Sequence, residues 1–137
     1  METFVWPIRV YYEDTDSGGV VYYANYLKFM ERARTEWLRA RGFEQDALLC
    51  DRRVLFAVRR LEVDYHRPAR FNDRLEVVSQ IANAGRASLT FAQNIQRVGS
   101  MEVLCGARVN KVACINAESF QACRMPRDLL REIVGDA

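Results

Sequence analysis

Apolar residues along this chain keep two different periods, and the change of period divides it into elements. Tyr22, Tyr26, Phe29, Met30, Ala33 and Trp37 recur at intervals of three and four, the spacing of one helix face. They predict a helix from Tyr22 or Asn25 to Arg41, stopped by Gly42. Residues 44–51 read as a short helical turn. From Val54 the period becomes two: Leu61, Val63 and Tyr65 alternate with Arg60, Glu62, Asp64 and His66, as in a half-buried strand, until Pro68. Phe56 and Val58 sit on the opposite parity, so a bulge or bend is expected near Arg59. Strands are also expected at 5–12, 74–82, 86–97 and 101–115, with Gly85 and Gly99 marking turns. Pro126 is expected to open a short C-terminal helix.

One long helix among about five strands, the later ones joined by short turns, is an α+β layout. Its mostly antiparallel sheet would wrap or cover the helix. No repeat, linker or low-complexity tract interrupts the chain, so residues 1–137 are read as one domain. The composition, 50% hydrophobic and 28% charged, allows a sizeable core. No apolar run approaches the ~18 residues of a membrane span, and the start lacks the basic-then-apolar pattern of a signal peptide. Cys50, Cys105, Cys114 and Cys123 show no CxxC spacing and are read as buried or inert thiols in a reducing cytoplasm. A net charge of +2 excludes a strongly basic nucleic-acid binder. All the basic residues except Lys28 and Lys111 are arginine, a side chain whose planar fork suits phosphate groups.

The inventory of reactive groups is narrow. The only histidine, His66, lies at the polar parity of a strand, which removes a His-rich metal site and reads as a surface or interface position. Chemistry is concentrated in Asp14-Thr15-Asp16-Ser17-Gly18-Gly19-Val20. As a calcium loop, Asp14, Asp16 and Gly19 would fit, but the closing bidentate glutamate is replaced by Asn25. As an aspartate-nucleophile phosphatase motif, Gly18 stands where Thr or Val is usual, and the chain is short. Two readings stay open on physical grounds. One is a solvated turn whose aspartate caps the helix. The other is a carboxylate beside a helix N-terminus, where glycines admit a ligand, unpaired N–H groups stabilise an oxyanion, and the aspartate attacks a carbonyl or activates water.

The run from Tyr11 through Asp14-Thr15-Asp16-Ser17-Gly18-Gly19 to Tyr26 resembles the active-site signature of the 4-hydroxybenzoyl-CoA thioesterase family of hotdog proteins. Glu31-Arg32-Ala33-Arg34-Thr35-Glu36, Val63-Asp64-Tyr65, Pro68-Ala69-Arg70 and Arg124-Met125-Pro126 are similar to its Tol-Pal-associated bacterial branch. The resemblance implies a hotdog fold, one long helix wrapped by a curved antiparallel sheet of about five strands. It also implies homodimers joined edge to edge with the sites at their interface, and dimers paired into tetramers.

The activity so implied is hydrolysis of an acyl-CoA thioester without metal or organic cofactor. Asp16 would be nucleophile or general base, Tyr23 would give an oxyanion-binding backbone N–H, and Asp14 would shape the loop. The Tol-Pal branch commonly has histidine where this chain has Tyr23, so only a backbone role carries over. Some relatives place a catalytic glutamate on the helix; Glu31 is read instead as paired with Arg34 or Lys28 at helical spacing. Arg59 or Arg60 are candidates for the CoA phosphates. The rival from another class is a low-turnover module that binds acyl carrier protein or lipid-synthesis enzymes. A dehydratase is weaker, since such sites pair a histidine with a carboxylate. The strand over 55–65 is the expected open edge, with Arg60, Glu62 and Asp64 fixing cross-strand register.

Overall fold

The computed structural model describes residues 2–134. In chain order the elements are β1 (Phe4–Arg9), α1 (Asn25–Ala40), α2 (Gln45–Arg52), β2 (Val54–Tyr65), β3 (Arg74–Ala84), β4 (Ser88–Arg97), β5 (Val103–Asn116) and α3 (Arg127–Val134). The strands form one five-stranded sheet in the order β1-β3-β4-β5-β2, and every neighbouring pair is antiparallel. The fold is therefore α+β, the hotdog arrangement expected.

The helix is held by its stripe. Tyr26, Phe29, Met30, Ala33 and Trp37 are all buried, while Glu31 and Arg32 face water. Each fully buried large apolar side chain is worth roughly 1.5–3 kcal/mol, far more than helix propensity supplies. The first half of α1 packs with Ile8, Val10, Leu75, Val77, Ile95 and Leu104. The second half packs Trp37 and Leu38 with Val54, Ile81, Leu89, Phe91, Val112 and Leu129. Trp37 meets Phe91 edge-on at 5.1 Å between ring centroids. Tyr22, counted in the stripe from its spacing, is instead exposed, because it precedes the helix.

A polar bridge crosses the interface between helix and sheet. Gln93, 1% exposed, donates from Nε2 to Met30 O at 3.0 Å and to Ser79 Oγ at 2.9 Å. Its Oε1 accepts from Arg34 Nη1 at 2.9 Å. Burial lowers the pKa of Arg34, partly offset by Glu31.

The bend expected near Arg59 is shared with the neighbouring strand. Register between β2 and β5 is the same on both sides of Arg59, although the pair with Lys111 is missing. Lys111 takes φ +52°, and the β4–β5 register shifts between Leu89 and Phe91. β5 therefore carries an extra residue relative to β4 but not relative to β2, so the inward parity of β2 and β5 changes together at Arg59 and Lys111. Phe56 and Leu61 consequently both pack on the second cluster.

Other boundaries moved by a few residues. β1 ends at Arg9, because Tyr12–Asp14 form a 3-10 turn and Tyr12 stacks on Phe71 at 3.8 Å. The turn expected at 44–51 is a helix, α2, closed by Arg53 at φ 57°. Arg52 on α2 and Asp128 on α3 form a bidentate pair, which holds the Asp128 carboxyl down to about 2. No helix among the described residues is long and apolar enough to cross a membrane.

Candidate active site

The loop between β1 and α1 is closed on itself before it reaches the helix. Thr15 and Val21 form an antiparallel bridge, and Val20 forms another with Arg70. Asp16 N–H donates to Val20 O at 2.9 Å, and Gly19 N–H donates to Asp16 O at 3.1 Å. The double glycine has two separate reasons. Gly19 turns the chain at φ +78°, a region that L side chains rarely enter. A Cβ on Gly18 would stand only 3.2 Å from Asp16 Oδ1, so the bare position lets the carboxylate fold back over it.

Asp14 and Asp16 face opposite ways. Asp14 is 4% exposed. Its Oδ2 accepts from Tyr11 N–H at 2.8 Å and its Oδ1 from Asn25 Nδ2 at 2.9 Å, while its backbone O accepts from Tyr22 N–H at 2.8 Å. One buried carboxylate therefore ties the start of the loop to the first residue of α1. Asp16 is exposed. Its Oδ1 accepts from Gly18 N–H at 2.8 Å, and no donor among the described residues reaches Oδ2.

The helix begins in a way that leaves donors facing outward. Tyr22 O accepts from Asn25 N–H at 2.8 Å. In a trans peptide the C=O and the following N–H point in opposite directions, so Tyr23 N–H is aimed off the N-terminal end of α1. It has no acceptor among the described residues. That end also carries the positive pole of the helix. The Tyr23 side chain is 60% exposed. Its ring lies 4.9 Å from Tyr22 and 6.2 Å, edge-on, from Tyr65.

Asp16 and Tyr23 are thus carried by one closed loop and helix start, without hydrogen-bonding each other. The other candidates lie apart. Glu31 is exposed and accepts from Thr35 Oγ1 at 2.6 Å, so its hydrogen-bond partner is neither Arg34, which turns to Gln93, nor Lys28. His66 is exposed, with its backbone N–H donated to Leu104 O. Arg60 reaches Glu62 at 3.5 Å. Cys105 and Cys114 are buried and their thiols are pushed up to about 12 by burial, whereas Cys50 is exposed. No thiolate nucleophile is available at the buried pair near neutral pH. Tyr65, a strand and family-motif residue to which the sequence assigns no role at the site, stands there: its hydroxyl donates to Tyr23 O at 3.1 Å. No local pattern reveals that contact, which joins residues from different elements.

An acid–base or nucleophilic carboxylate together with outward N–H donors is the equipment of acyl transfer. Comparison with known proteins identifies the family. Residues 18–104 match the family model described as the thioesterase superfamily. The acyl-CoA thioester hydrolase YbgC of Escherichia coli O157:H7 is 43% identical over 129 residues, 94% of each chain. The acyl-CoA thioesterase YbgC of Helicobacter pylori is 34% identical, covering 92% of this chain and 96% of that one. Among solved structures, a probable thioesterase from Bartonella henselae superposes with a TM-score of 0.85 at 34% identity, covering 91% of this chain and all of that one.

Proposed function

The chain belongs to the thioesterase superfamily, and from that premise we propose that it hydrolyses acyl-CoA thioesters at the loop between β1 and α1. The carrying observation is the exposed Asp16 carboxylate, fixed at one oxygen by Gly18 N–H and with the other oxygen open. In this reading the thioester carbonyl oxygen accepts from Tyr23 N–H at the positive end of α1. Charge that develops on that oxygen is stabilised there. Asp16 either attacks the carbonyl carbon, forming an anhydride that water then cleaves, or takes a proton from an attacking water. In both routes the thiolate of CoA leaves and a carboxylic acid is released. No step needs a metal or an organic cofactor.

The relatives named for acyl-CoA hydrolysis support the substrate class. In our reading the active form is a homodimer, with dimers pairing into tetramers, and Arg59 or Arg60 meets the CoA phosphates. The cytoplasm, where CoA esters are made and used, is the corresponding location. A screen over short, long and aromatic acyl-CoAs tests the activity. Hydrolysis near background for all of them would favour a module that binds acyl carrier protein or lipid-synthesis enzymes. Asp16→Asn tests the site: turnover is expected to fall at least ~100-fold, with a non-hydrolysable acyl-CoA analogue still bound. Turnover near wild type in that variant would remove Asp16 from the mechanism.

A further inference from the structure

We infer that the Tyr65 hydroxyl is a positioning group for the oxyanion-binding N–H of Tyr23, set by its hydrogen bond to Tyr23 O; this rests on the reading of the site given above.

The argument starts with a carbonyl that the helix does not use. In a regular α-helix Tyr23 O would accept from the N–H four residues on, that of Leu27. Leu27 N–H turns to Ala24 O instead, at 3.2 Å. Tyr23 O is thereby left outside the helical ladder, open to water or to a side-chain donor. Tyr65 OH donates, at 3.1 Å.

Tyr23 consequently lies between two pinned peptide planes. The plane before it, which carries the candidate N–H, is held through Tyr22 O by Asn25 N–H at 2.8 Å. The plane after it is held by Tyr65. With both planes fixed, the φ and ψ of Tyr23 have little freedom, and the direction of its N–H is set before substrate arrives. Oxyanion stabilisation depends on this kind of prior alignment.

Tyr65 is itself well placed to hold a position. It is the last residue of β2, paired with Cys105, and the chain after it is anchored by His66 N–H and Arg67 N–H to Leu104 O. Its ring packs on Tyr26 at 5.7 Å and against Tyr23. Tyr26 is buried, with its hydroxyl accepting from Ala69 N–H at 3.0 Å. Burial, then neighbouring Cys105 and tyrosines, raises the Tyr65 phenol above its ordinary value, so it remains a protonated donor through the physiological range.

Tyr65→Phe removes only the hydroxyl. The expected result is a fall in kcat of roughly two- to tenfold, the rate equivalent of one neutral hydrogen bond, with KM within about twofold. The S-alkyl thioether of the best acyl-CoA substrate has no carbonyl and cannot use Tyr23 N–H. Its affinity is expected to stay at the wild-type value, together with the thermal midpoint. Asp16→Asn is assayed alongside. Wild-type kcat in Tyr65→Phe beside an inactive Asp16→Asn would overturn the role of Tyr65 while leaving the site reading in place. A kcat loss accompanied by weaker thioether binding and a lowered midpoint would also overturn it, as a purely structural contribution. An active Asp16→Asn would remove both readings together.

Discussion

Asp14 and Asp16 are two residues apart in a loop closed by the same bridge, and their surroundings give them opposite work. Asp14 is buried and saturated by Tyr11 N–H and Asn25 Nδ2, so its removal leaves a buried amide and a backbone donor without acceptors. Asp14→Ala is expected to lower unfolding stability by about 2–3 kcal/mol, read from urea denaturation. Asp16→Asn should leave the urea midpoint almost unchanged, because the residue is exposed and an amide oxygen can still accept from Gly18 N–H. A large stability loss in Asp16→Asn would mean that this residue too builds the loop. The loop was legible in sequence because its chemistry is local. Two carboxylates, two glycines and a helix start fall within a dozen positions, and the family resemblance singled out Asp16 and Tyr23. Tyr65 was not legible, since its contact with Tyr23 O depends on how the end of β2 meets the start of α1.

At the scale of elements, α1 and all five strands could be read because burial imposes a period, 3.6 on the helix and two on the strands. What periodicity missed is polar and long-range. Gln93 sits at an inward position of β4, where an apolar residue would be the ordinary expectation, and bridges Met30 O, Ser79 Oγ and Arg34. Gln93→Leu keeps roughly the same volume but leaves the Arg34 guanidinium partly buried without its acceptor. Stability is expected to fall by about 2–3 kcal/mol, measured by chemical denaturation. The double variant with Arg34→Met should recover part of the loss, and strict additivity of the two would argue against the bridge. The parity change in the sequence marks the bend near Arg59, and β5 slips together with β2 there, at Lys111. A sequence shows which side chains change sides but not which neighbouring strand bends with them.

For the whole molecule, the strand order leaves β1 and β2 at the two edges of the sheet. β2 offers a long open row of backbone groups, with exposed Val58 and Tyr65 along it, and an open edge of that length invites another strand. The chain is expected to sediment as a dimer or larger at micromolar concentration, and activity should decline on dilution in step with dissociation. A fully active monomer would contradict an edge-to-edge pair that shares its sites. The same strand order has a consequence for how the molecule is made. β1, α1 and β2 are synthesised first, whereas β3, β4 and β5, which fill the middle of the sheet, come last. Between the end of α1 and the end of β5 lie about 75 residues, which at ~5–20 residues per second take the ribosome on the order of ten seconds. Until the end of that interval Phe29, Met30 and Trp37 have no complete sheet to cover them. The helix that anchors the native core is therefore, with β1, an early and long-exposed apolar surface of the nascent chain. Its protection before release falls to whatever binds hydrophobic segments at the tunnel exit.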